Sequence, residues 1–526
     1  MDYNSKQSFS SSERLMIALC VPLGNRKYRA TKRRHPEAFY TLRELCDIAK
    51  IAPTQLNTLA AERLDQTVSA VCRSGSRFLK DSLCVQLYED GEGVMRWAAA
   101  HGALACVVRK EIEGIPCIVA EDPTAVYGAL CALYRARNPI PATAIAGSIG
   151  KTTAKKMIEA VYKAQFETFC DAGNDNQIDG VGYIAQHIPT ATEQWVQEVS
   201  EDTPGCVQHI SEILRPQIAV ITAIDKSHIQ EYGGESGILD EIRSIETGMP
   251  KDGVIVTSMD EENTRTLFGG DRRVVFVSLT SDEADYSAKD IAIASDGLHF
   301  VVLEKETGKD YPVFLRDVYA EHNAISALYA FAAGVLSGVT YENILKGLSS
   351  YRAGGIRQNV YRAHGMTVYA DCYNAVPKSI RSATSACDKI NVSGKRIAVI
   401  GDVEETGDLE KEVHREIVEI IDQSKFDLLL TYGEKMKAAA SETPHRDSLT
   451  VKSFTDRKEL NAAIRRSLTK DGLILFKASH KSRLDKSLSS VFPLAYCRNA
   501  FAYAWPQITW RVKVINAWTL QKDKTK

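Results

Sequence analysis

Residues 144–162, AIAGSIGKTTAKKMIEAVY, run from an apolar segment through two glycines into Lys-Thr-Thr and then an amphipathic pattern. That order leaves few solutions: a buried strand, a tight turn and a helix beginning at once, the first half of a parallel α/β unit. Gly147 and Gly150 let the backbone curl, and the positive end of the following helix is directed at the same spot, so an anion belongs there. Lys151 supplies a mobile charge for β- and γ-phosphates and Thr152 a hydroxyl for Mg²⁺, with Ser148 and Thr153 completing the candidate loop. The full G-x-x-x-x-G-K-[ST] pattern is not met, because Ile145 occupies its first glycine position; a turn without a ligand is the competing reading.

The 526 residues are too many for one ordinary domain of about 100–200 residues. Residues 1–38 form an N-terminal extension, and 39–140 read as a small α/β unit closed by the proline-containing linker NPIPAT. Residues 141–351 alternate apolar runs (TAIAG, WVQEV, QIAVITAI, GVIVTS, RVVFVSL) with helical patterns, which predicts a mostly parallel sheet covered by helices. Within this block DIAIAS, LHFVVLE and YPVFLR predict hairpin strands. Residues 352–490 read as a Rossmann-like domain without a dinucleotide glycine fingerprint, and 491–526 as an aromatic-rich tail.

A net charge of -2, with 25% charged and 44% hydrophobic residues, gives no electrostatic reason to expect nucleic acid as a partner. LMIALCVPL is too short for a membrane span of roughly 18 apolar residues and lacks a following cleavage site, so no span is expected. Twelve scattered cysteines with no C-x-x-C pair predict reduced core thiols and a cytoplasmic protein.

Downstream of the loop, Glu198 ends the strand WVQEV and His228 follows QIAVITAI by a few residues. In a parallel sheet both emerge at the carboxyl edge beside the loop, where a carboxylate and an imidazole suit a divalent cation shared with a nucleotide. Taken singly, Glu198 equally fits a surface ion pair and His228 a helix cap.

Eight ordered segments, GSIGKTTAKKMI, GNDNQIDGV, EVSEDTPG, RPQIAVITAIDKSHIQEYG, EHNAISALYA, DCYNAVPKSI, IAVIGDVEETGDLEKEVH and ILFKAS, together resemble the Mur ligase family over roughly residues 145–480. The resemblance implies a three-domain fold with a central P-loop parallel-sheet ATPase domain and a C-terminal Rossmann-like ligase domain. It also implies an enzyme that uses ATP and Mg²⁺ to join a carboxylate to an amine through an acyl-phosphate. The acceptor would be a small-molecule or nucleotide-linked peptide, and the incoming amine an amino acid or dipeptide such as D-alanyl-D-alanine, in peptidoglycan assembly or a related pathway.

By the same resemblance, Gly147, Ser148, Gly150, Lys151, Thr152 and Thr153 hold the ATP phosphates, while Thr152, Glu198 and His228 hold magnesium. Lys151, Glu198 and His228 are the implied catalytic set; Asn323 contacts the adenine region, and Asp371 and Asn374 close over the nucleotide from the third domain. The chain departs from the family where a carbamylated lysine helps hold a second magnesium: Ile242 stands there, followed by Arg243, and neither can form a carbamate. Val376 replaces an asparagine in YNAVP, and Gln177 follows Asn176 in place of a second asparagine. A non-catalytic ATP-binding relative, a ligase of a different pathway and a P-loop NTPase of another kind are the alternatives.

Overall fold

The computed structural model describes residues 40–493 except 74–77, 79, 88–90, 172–174, 190, 225–231, 233, 271, 295, 354, 357, 374 and 405–408. Three sheets, each drawn from one contiguous stretch of chain, form a three-domain α/β architecture. The first is small and wholly parallel, in the order β1 (Val71–Cys72), β2 (Leu83–Val85), β3 (Ala105–Val108), β4 (Cys117–Val119).

The central sheet comprises β5 (Ala142–Ala146), β6 (Thr168–Cys170), β7 (Gln194–Glu198), β8 (Ile218–Ile221), β9 (Val254–Ser258), β10 (Val274–Ser278), β11 (Tyr286–Ala294), β12 (Gly297–Glu304) and β13 (Lys309–Arg316). Its order is β13-β12-β11-β10-β9-β8-β5-β7-β6. Strands β5 to β11 pair in parallel, whereas β11, β12 and β13 form the expected antiparallel hairpins. Because β5 lies between β7 and β8 while the chain leaves it for the edge strand β6, the sheet has its topological switch at β5, and a crevice opens beyond the carboxyl ends of these strands. The register pairs Ile145 with Glu198 and Ala146 with Ile221, so three strand ends reach the same level.

All five residues of β5 are buried, which requires cover on both faces. On one face lie the helices Lys151–Lys163, Asn323–Leu336 and Tyr341–Ser350, closing a core around Met157, Val161, Tyr162 and Phe331. The other face shares its core with the first domain through the helices Pro123–Ala136 and Ile178–His187. Gly182 permits that contact, since a Cβ there would lie 2.5 Å from the Tyr127 ring and 2.7 Å from Cys131 Sγ. Gln186 then reaches the first sheet, accepting from Val71 N at 2.9 Å and donating to Val71 O at 2.8 Å.

The third sheet contains β14 (Asn359–Ala363), β15 (Met366–Asp371), β16 (Arg396–Gly401), β17 (Leu428–Tyr432), β18 (Thr450–Phe454) and β19 (Leu473–Lys477), in the order β14-β15-β19-β16-β17-β18. Only the edge strand β14 is antiparallel. Among the described residues, no helix is long and apolar enough to cross a membrane.

Candidate active site

The loop after β5 is pressed against the end of β8. Gly147 has φ +115°, and a Cβ on it would meet Thr222 Oγ1 at 2.5 Å and Thr222 O at 2.8 Å. Two loop amides are already engaged within the protein: Ser148 N and Ile149 N both donate to Ala223 O, at 2.9 and 3.0 Å. The first amide groups of the helix start, which lack intrahelical acceptors, are the donors that could meet an anion. Gly150, at φ +91°, turns the chain directly into Lys151, and Lys151, Thr152 and Thr153 form the first turn. Ser148 Oγ is buried without a hydrogen-bond partner, a polar atom suited to a phosphate oxygen.

Lys151 and Glu198, chosen from sequence, take different partners. Lys151 Nζ donates to both carboxylate oxygens of Glu201 at 2.7 Å and to the carbonyl of Gly147. Burial pushes the Glu201 carboxyl above its ordinary range, against the attraction of Lys151. Glu198, 4% exposed, receives Thr152 Oγ1 at 3.1 Å and Lys155 Nζ at 3.2 Å on Oε2, and Asn176 Nδ2 at 3.2 Å on Oε1. Thr152 and Glu198 thus stand together, an oxygen-only pair with the donor chemistry Mg²⁺ selects. Among the described residues, no group of three His, Cys, Asp or Glu stands together as a metal site. His228 lies outside the described residues.

Lys155, one turn after Lys151, was not selected from the sequence. It is wholly buried and bridges Asp171 Oδ2 at 2.8 Å to Glu198. Burial opposes its charge, but Asp171 and Glu198 outweigh that cost and hold its pKa above the ordinary lysine value. A lysine inside the buried stripe Ala154, Met157, Ile158, Val161 is the signal that could have revealed it.

Asn323 and Asp371 are linked through a residue that the sequence reading missed. Asn323 Nδ2 donates to Gln358 Oε1 at 3.1 Å, and Gln358 N donates to Asp371 Oδ1 at 3.3 Å. Gln358 has φ +48°, a conformation rare for a side chain of its kind, at the junction of the central and third domains. Asp371 also binds the buried Lys477 Nζ at 2.6 Å, and Lys389 pairs with Glu321 across the same junction. Asn374 lies outside the described residues. In the GDVEETG segment, Met436 N donates to Asp402 Oδ1 at 2.8 Å and Val403 N to His414 Nε2 at 3.1 Å.

Ile242, at the position where the resemblance places a carbamylated lysine, is fully buried in the core shared by the first and central domains. Its neighbour Glu241 turns to the start of the Cys206–Leu214 helix, accepting from Gly205 N at 2.7 Å and Val207 N at 2.8 Å. Arg243 points outward, with its side chain 55% exposed and 3.6 Å from Glu246.

Residues 145–334 match the Mur ligase middle domain and residues 356–480 the Mur ligase, glutamate ligase domain. The UDP-N-acetylmuramoyl-tripeptide–D-alanyl-D-alanine ligase of Bacillus subtilis is 30% identical over 427 residues, which are 81% of this chain and 90% of that protein. A crystal structure of MurF from Acinetobacter baumannii superposes with TM-score 0.74 at 22% identity, covering 87% of this chain and 99% of that one. MurF from Thermotoga maritima in complex with ADP gives TM-score 0.65 at 20% identity, over 80% of this chain and 95% of that one. With a strand–turn–helix loop bearing Lys151 and Thr152, Glu198 at the adjacent strand end and relatives matched over most of their length, this chain belongs to the Mur ligase family, ATP-dependent enzymes that form carbon–nitrogen bonds.

Proposed function

We propose that this chain joins the carboxylate of a UDP-N-acetylmuramoyl-tripeptide to the amine of D-alanyl-D-alanine, using ATP. The observation that carries the reading is that Thr152 binds Glu198 while its neighbour Lys151 pairs with Glu201, beyond β5 and β7, in a chain whose Bacillus subtilis relative bears that ligase name. The substrate carboxylate attacks the γ-phosphorus and ADP leaves. The amine then attacks the acyl-phosphate carbon, and the tetrahedral intermediate loses a proton and inorganic phosphate. Mg²⁺, when bound, supplies the charge neutralisation that phosphoryl transfer needs.

The residues of the chain orient and screen. Gly150 and the first helical amides cradle the phosphates, Lys151 follows the charge that develops on the transferred group, and Thr152 and Glu198 supply the cation's protein oxygens. Asn176 and Lys155 fix the plane of the Glu198 carboxylate. Asn323 and Asp371 lie on the hydrogen-bonded path through Gln358, at the junction where a nucleotide bound between the central and third domains would meet both. His228 as a further metal ligand and Asn374 as a nucleotide contact are carried from the resemblance alone. A cytoplasmic site of action is inferred from the free cysteines of the described residues.

The test is phosphate release by the purified full chain with ATP, Mg²⁺, UDP-N-acetylmuramoyl-tripeptide and D-alanyl-D-alanine, omitting one component at a time. Release that needs both acceptor and dipeptide, and falls about 100-fold or more in Lys151→Ala, supports the reading. ATP binding without release for any acceptor and amine pair would instead identify a nucleotide-binding relative without ligase activity, an alternative favoured by the apolar burial of Ile242.

A further inference from the structure

Lys151 is fully committed. An ammonium has three protons to donate, and in this structure the acceptors are Glu201 Oε1, Glu201 Oε2 and the carbonyl of Gly147. Any phosphate oxygen that enters the loop must therefore take Lys151 from Glu201. The carboxylate has little room to retreat: its side chain is 6% exposed, and its backbone carbonyl is held by Tyr232 OH at 2.6 Å. Once the lysine turns to phosphate, a buried anion is left beside a polyanion. In a partly desolvated site that repulsion is several times stronger than in water.

We infer that Glu201 is a specificity residue that makes the phosphate loop accept the metal-bound nucleotide and reject the free one. A cation carried in by the nucleotide lowers the net phosphate charge at the point where Glu201 loses its partner. Metal-free nucleotide offers no such compensation and must compete with Glu201 for Lys151 outright. This goes beyond the proposed ligase reading and rests on its assignment of the loop to ATP. Glu201 takes no part in the chemical steps; it sets which form of the nucleotide can displace it.

Calorimetric titration of the full chain with a non-hydrolysable ATP analogue, once in EDTA and once in saturating Mg²⁺, tests the inference. In Glu201→Gln, which keeps the size and hydrogen-bonding reach but removes the charge, metal-free analogue should bind about tenfold tighter than to wild type. Affinity in Mg²⁺ should change by less than about threefold, so the magnesium enhancement shrinks. Glu201→Asp keeps the charge and should keep the enhancement, and thermal melting of each variant reports folding. An unchanged enhancement in a folded Glu201→Gln, or parallel losses in both conditions as a purely structural role would give, overturns the inference while leaving the loop assignment standing. Failure of wild type to bind the analogue in either condition overturns the loop assignment and the inference with it.

Discussion

Lys155 and Asp171 form a 2.8 Å ion pair with side-chain exposures of 0% and 1%, and the same ammonium reaches Glu198 at 3.2 Å. A buried cation between two carboxylates is a costly device unless its geometry matters, because burying such groups forfeits hydration that their attraction only partly restores. Its geometric effect is to fix Glu198 Oε2 beside Thr152 while Asn176 holds Oε1.

Replacing Lys155 by methionine should therefore act on both stability and metal use. Two carboxylates would be left buried without their cation, at a cost of about 3–5 kcal/mol in urea unfolding. The Mg²⁺ concentration for half-maximal activity should rise, whereas the double variant Lys155→Met, Asp171→Asn should regain part of the stability without regaining the metal response. A single variant as stable as wild type would show that the triad does not organise this site.

The phosphate loop makes a narrower prediction. At Gly147, alanine would bring its Cβ to 2.5 Å from Thr222 Oγ1 in a backbone conformation unsuited to a side chain. Gly147→Ala should cost about 1–3 kcal/mol of stability and lower ATP-analogue affinity by more than that strain alone requires, because the helix start is displaced from β8. Calorimetry on the folded variant checks it; unaltered affinity would mean that this contact does not position the cradle.

The parallel sheet, its hairpin extension and the strand–loop–helix bearing Lys151 were legible because buried runs such as ATAIA and LILFK leave no polar face, and because GSIGKTT punctuates the pattern. Edge strands were less visible. β18, TVKSF, exposes three of its five residues and shows little of the burial that makes a strand stand out in sequence. Glu201 and Gln358 were missed for another reason: each gains its role from a partner distant in sequence, Lys151 fifty positions away and Asn323 thirty-five. Neither Glu201 within EVSEDTPG nor Gln358 before NVYRA breaks a local rule, whereas the buried Lys155 does.

Ile242 and Arg243 give the last prediction. Ile242, at 0% exposure, belongs to the same apolar core as Ile210, Ile238 and Ile245, so the chain has no amine at that point to trap CO₂, and bicarbonate should not stimulate the wild-type ligase. Ile242→Lys should not create a carbamate site. It would bury an ammonium among apolar side chains, and the expected result is a loss of about 3 kcal/mol or more, or misfolding, rather than bicarbonate activation. Arg243, half exposed and 3.6 Å from Glu246, should tolerate alanine with less than about 1 kcal/mol of change and near-normal turnover. Phosphate release by the wild type and both variants, each with and without bicarbonate, reads these outcomes alongside thermal melting. Bicarbonate activation of the wild type would place the carbamate on a different lysine, and a large kcat loss in a stable Arg243→Ala would mean that the guanidinium reaches the reacting phosphate after all.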